Sequence, residues 1–87
     1  MHSWRKEDKD DPQKEITHLN QQYIQFYKQG RYGDAINIGT KLCDIVKQTF
    51  GKNHLSYANS LSNLANLYQL VGQYSKADPL YQKSLEI

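Results

Sequence analysis

The chain has 87 residues, 38% of them hydrophobic, and a formal net charge of +2, so it makes at most one small domain with a modest core. The charge forms no basic stripe: residues 1–15 carry four basic and five acidic groups and residues 16–87 carry seven and four, which argues against a nucleic-acid partner. No apolar run approaches the roughly 20 residues that cross a bilayer, no secretory signal opens the chain, and the single Cys43 forms no internal disulfide; a cytoplasmic, reducing setting is the simplest reading, with no membrane partner.

Residues 1–11 are mostly polar and alternate in charge, from Arg5 to Asp11. Such a segment buries too little to offset its ordering entropy, so a disordered charged tail is expected. Trp4 is its one large apolar residue, read as loose rather than docked. Asp11-Pro12 reads as a helix start, with Asp at the N-cap and Pro in the first turn. A first helix is expected from about Pro12 to Gln29, ended by Gly30. A second runs from about Tyr32 to Phe50, and Gly51-Lys52-Asn53-His54 makes the connection. A third covers about Leu55 to Val71, Gly72 stops it, and a fourth runs from Tyr74 to the chain end. The glycines fit helix C-caps, where a left-handed residue is often needed.

Periodicity supports these helices. Ala58, Leu61, Ala65 and Tyr68 make one apolar stripe at helical spacing, flanked by Leu64, with Asn59, Asn63, Asn66 and Leu70 opposite. In the first helix Ile16, Leu19, Tyr23 and Phe26 form the stripe, with Thr17, Asn20, Gln21, Ile24 and Lys28 opposite. Ala35, Ile38, Leu42, Ile45 and Val46 share a face of the second.

The two halves repeat. Gly30-Arg31-Tyr32-Gly33-Asp34-Ala35 returns 42 residues later as Gly72-Gln73-Tyr74-Ser75-Lys76-Ala77, and Leu19, Lys41 and Ile45 meet Leu61, Lys83 and Ile87 at the same offset. A fixed period of this size indicates a helical repeat, an α-solenoid, and such stacks present surfaces to other proteins more often than they do chemistry. The expected division is a first, degenerate repeat over 12–50 and a second over 51–87.

Asn63-Leu64-Ala65-Asn66-Leu67-Tyr68, the Gly72 turn and Leu80-Tyr81-Gln82-Lys83-Ser84-Leu85-Glu86-Ile87 together resemble the tetratricopeptide repeat. The 42-residue period and Gly51-Lys52-Asn53-His54-Leu55-Ser56-Tyr57-Ala58 are similar to the kinesin light chain subclass, with Leu55 where that subclass usually has Pro. Pro79, early in the fourth helix, also fits it. The first repeat departs from the pattern: Gln22-Tyr23 stands where Leu and a small residue are usual, and Gly39 where an aromatic is usual. Gly39 leaving room for the Tyr23 ring is the expected compensation.

The resemblance implies an all-α fold of two stacked antiparallel hairpins and a non-catalytic protein–protein interaction module, a scaffold with no cofactor. The site it implies lies on the concave face of the first helix of each repeat: Asn20, Gln21, Ile24, Lys28, Asn59, Asn63, Asn66 and Leu70. Asparagine suits that role because its amide both donates and accepts, gripping a peptide backbone whatever its sequence; the bland reading is a solvated polar face. Tyr27 and Gln69 flank the same face. The cationic clamp that some members use for a terminal carboxylate is not expected, since only Asn63 matches it and Asn20 and Ile24 replace its Lys and Asn. The competing reading is self-assembly into a homo-oligomer through the fourth helix, with Leu80, Leu85 and Ile87 as the contact.

No residues point to catalysis or metal binding. Cys43 late in the second helix reads as a small buried hydrophobe. His2, His18 and His54 lack ligand spacing, and His54 is expected to cap or pack in its loop. No inward-facing carboxylate pair or phosphate-cradling loop is apparent.

Overall fold

Helix α1 (Pro12–Lys28) begins as its first residues dictate. Asp11 is extended, and its carboxylate accepts from the Gln13 N–H at 3.0 Å, while Pro12 takes a position whose N–H would have no helical partner. This is a computed structural model, and it describes residues 11–87. The expectations for the preceding tail, Trp4 included, lie outside the described residues. Three further helices follow, α2 (Tyr32–Phe50), α3 (Leu55–Leu70) and α4 (Tyr74–Leu85), and the described residues hold no strand. The all-α fold of paired hairpins is therefore as expected. Gln29, Val71 and Glu86 act as caps rather than helical residues.

The same turn closes α1 and α3. Gly30 and Gly72 have φ of 75° and 81°. Arg31 N–H donates to the Phe26 carbonyl at 2.9 Å and Gly30 N–H to Tyr27 at 3.1 Å; Gln73 and Gly72 repeat this on Tyr68 at 2.8 Å and Gln69 at 3.0 Å. These paired bonds satisfy carbonyls that a helix end leaves open. Each turn also brings a cation over the aromatic of the preceding helix: the Arg31 guanidinium lies 4.6 Å from the Phe26 ring centre and Lys76 Nζ 5.7 Å from that of Tyr68. Arg31 is held there by an ion pair to Asp34, 2.7 Å away.

The helices form a meander in which each packs on its neighbour in sequence. Leu19, Leu42, Cys43, Val46, Tyr57, Leu61 and Leu64 make the core, with Ile16, Ile38, Ile45, Tyr68 and Leu80 against it. Helix α3 lies between α2 and α4, so it buries more than one stripe. Tyr57, Ser60 and Leu67 are buried besides the expected Ala58, Leu61 and Ala65, and fully enclosing a leucine such as Leu67 contributes about 1.5–3 kcal/mol. On the α4 side, Ser84 Oγ donates to the Ala58 carbonyl at 3.0 Å and lies 2.8 Å from Ser62 Oγ.

Gly39 allows a close approach, but not chiefly the one expected. A Cβ there would meet Leu64 Cδ1 of α3 at 3.3 Å, Leu67 at 3.9 Å and the Tyr23 ring only at 4.0 Å. The glycine therefore accommodates the following helix more than the preceding one. Leu55, in the place of the expected Pro, is mostly exposed rather than packed.

Candidate functional site

The backbones of α1 and α3 stand apart. No Cα of one lies within 8 Å of a Cα of the other, although α2 packs on both. The gap is a groove of about 400 Å³. Gln13, Ile16, Thr17 and Asn20 form its α1 wall; Ser56, Asn59, Ser60 and Asn63 form its α3 wall; Leu42, Val46 and Phe50 of α2 form its floor. The helical repeat explains the walls, since residues three, four and seven apart lie on one face.

The floor is mostly sealed. Leu42 and Val46 are buried, whereas Phe50 keeps 37% of its surface exposed. The Phe50 ring stacks on His54 with centroids 4.8 Å apart. His54 Nδ1 in turn accepts from the Ser56 N–H at 3.0 Å and caps α3, so the neutral ring carries its proton on Nε2. His54 thus both caps and packs.

Apart from the Ser56 hydroxyl, the polar wall groups divide into two sets. The Thr17 and Ser60 hydroxyls donate within their own helices, to the Gln13 carbonyl at 2.9 Å and the Ser56 carbonyl at 3.0 Å. The side-chain amides of Gln13, Asn20, Asn59 and Asn63 make no hydrogen bond to any described residue. Two amides from each wall therefore line one groove, with no described residue holding their donors or acceptors. None of the described groove-lining residues is charged.

Of the residues expected at the site, Asn20, Asn59 and Asn63 come together here. Asn66 does not join them. The Tyr81 hydroxyl of α4 bonds its amide and also lies 3.0 Å from Gln69 Oε1. A phenol has one proton and both facing atoms are amide oxygens, so Tyr81 donates to one of them at a time and the two side chains share this internal donor. Asn66 and Leu70 instead line a separate hollow of about 340 Å³ with Tyr27 and Gln69. Gln21 lines an adjoining hollow with Asp11, Lys14 and His18, and that hollow shares Gln13 and Thr17 with the groove. Ile24 and Lys28 are exposed and line none of the three.

Gln13, Ser56 and Phe50 also line the groove, and no pattern in the sequence marks them for it. Only Thr17, 42 residues before Asn59, carries a sequence signal that pairs the two walls.

The surface expected for self-assembly is divided. Leu85 is 86% exposed and Ile87 is exposed too, but Leu80 packs against the core. Leu80 sits on the α3-facing side of α4, which removes it from that patch.

Cys43 is buried, and burial first, then the Asp44 carboxylate, pushes its thiol up to about 11, with Lys83 opposing. A neutral thiol is a poor nucleophile. The described residues contain no group of three or more His, Cys, Asp or Glu placed to hold a metal, and none of their helices is long and apolar enough to cross a membrane.

No curated protein sequence matches the chain. A family model for the tetratricopeptide repeat matches residues 14–87, which takes in nearly all of α1 and the whole of the other three helices. With two helical hairpins, each carrying the same glycine turn, the match has its structural counterpart throughout: the chain belongs to the tetratricopeptide-repeat family, whose members serve as protein–protein interaction modules.

Proposed function

We propose that this chain binds a peptide segment of a partner protein in the groove between α1 and α3. The observation that carries this reading is the set of four open amides, Gln13, Asn20, Asn59 and Asn63, two on each wall of one groove. Amides on both sides of an extended chain match its alternating N–H and C=O groups without reading its side chains. The face expected from the sequence narrows accordingly: Asn20, Asn59 and Asn63 remain at the centre, and Asn66, Leu70, Gln21, Ile24 and Lys28 move to its margins. Residues 12–50 and 51–87 serve as two repeats of the kinesin light chain-like, 42-residue kind, acting as a non-catalytic scaffold in the cytoplasm.

The test is binding of peptides selected from a display library, measured by fluorescence polarisation. The double variant Asn59→Ala/Asn63→Ala is expected to lose at least tenfold in affinity, about 1.4 kcal/mol, with an unchanged melting temperature. Retained affinity would remove the groove as the site.

A second reading is self-assembly through α4, favoured by the 86% exposure of Leu85 beside exposed Ile87. Light scattering over a wide concentration range tests it. A mass that rises to that of a dimer, and returns to the monomer on Leu85→Glu, supports it; a monomer throughout removes it.

A further inference from the structure

The geometry points to a specific class of segment for the groove: an extended, uncharged stretch of a partner protein with one apolar side chain seated against Phe50 and Ile16. This rests on the groove being a peptide site and names what it selects.

Three features lead to it. First, the described lining residues hold no charge. A Lys, Arg, Asp or Glu side chain entering the groove would lose water without gaining an opposite charge, and unpaired burial of that kind is costly. Second, the wall donors not used within their own helices are few: four amides and the Ser56 hydroxyl. Thr17 and Ser60 already donate within their helices, so Gln13, Asn20, Asn59 and Asn63 supply most of the hydrogen bonding, and a peptide backbone offers both partners that an amide needs.

Third, the apolar contact is small. Leu42 and Val46 are nearly covered, and Phe50 is the floor residue that remains substantially exposed. A helical ligand docks through a stripe of anchors at i, i+3, i+4 and i+7, and this floor has no such length of open apolar surface. One anchor on an extended chain fits it. His54 stiffens the seat, since its ring is fixed both by stacking on Phe50 and by capping α3.

The experiment pans a phage library of random twelve-residue peptides on the full chain. Enriched sequences are then made as labelled peptides and titrated against the wild type, Asn59→Ala/Asn63→Ala and Phe50→Ala. The expected result is a shared Leu, Ile, Val or Phe flanked by uncharged residues, with affinity falling at least tenfold when that residue is replaced by Asp or Lys. This peptide substitution needs no protein variant, so it reads the seat even where Phe50→Ala perturbs folding; where that variant folds normally by circular dichroism, it also loses about tenfold. Enriched peptides whose shared position is charged, yet which lose binding to the Asn59/Asn63 double variant, would overturn the uncharged-segment inference and leave the groove as a site. No enrichment, or undiminished binding to the double variant, would overturn the groove reading itself.

Discussion

Gly39 of α2 lies against Leu64 of α3 so closely that a Cβ on the glycine would stand 3.3 Å from Leu64 Cδ1. The two residues come from different repeats, so this contact sets how near the hairpins approach. Alanine at 39 gains helix propensity of about 1 kcal/mol, and the atom it meets is the flexible end of a side chain, so Gly39→Ala is expected to fall within about 1 kcal/mol of wild type. Gly39→Phe has no such room and is expected to destabilise by about 1–3 kcal/mol. Urea denaturation of both variants checks this, and a phenylalanine variant as stable as wild type would show that the contact does not limit packing.

The paired turns predict a matched pair of losses. Gly30 and Gly72 adopt left-handed conformations, and a Cβ at either would meet nothing within 4 Å, so the cost of a side chain there is backbone strain alone. Gly30→Ala and Gly72→Ala are each expected to cost about 1–2 kcal/mol, and nearly the same amount, because the turns share one hydrogen-bond pattern. Thermal melts of the two variants compare them directly; a difference larger than about 1 kcal/mol would mean that the turns are not energetically equivalent.

Cys43 predicts an alkaline weakness. Its thiol stays neutral in the folded chain until about 11, against an ordinary value of 9.0. The unfolded chain therefore releases this proton first, and stability falls as pH rises from about 9 to about 11. Below 9 the thiol's contribution is fully present. Cys43→Val keeps an apolar side chain and removes the titration, so its stability is expected to decline less over that window in denaturation series at pH 7, 9 and 11. Parallel declines would assign the effect to other groups. At neutral pH the native thiol is also expected to resist iodoacetamide until the chain is unfolded.

Much of the fold is legible in the sequence because its signals are local. Gly30 and Gly72 mark turns by their own backbone freedom, Asp11-Pro12 carries a helix start within two residues, and the Asn59/Asn63 spacing places both on one exposed face. What depends on packing is not legible. Tyr57 and Leu67 fall off the single stripe of α3, because that helix is covered from two sides and periodicity reads only one. Asn66 looks equivalent to Asn63 in sequence, yet Tyr81, 15 residues on, engages its amide. The groove itself depends on α1 and α3 standing apart, which is a property of two interhelix distances and is written in no residue pattern. Leu80 escapes a sequence assignment for a similar reason: the side of α4 that meets α3 follows from how the helix is rotated.

The meander has a kinetic consequence. Because each helix rests only on those next to it in sequence, few contacts require distant parts of the chain to meet, and such topologies fold quickly. They also open piecewise. Either end helix can detach while the remaining ones stay associated, as expected of quasi-one-dimensional stacks. Helices α2 and α3, each flanked on both sides, are the last to lose their neighbours, so their amides are the ones that exchange with solvent most slowly, and the floor and α3 wall of the groove persist while the α1 wall comes and goes.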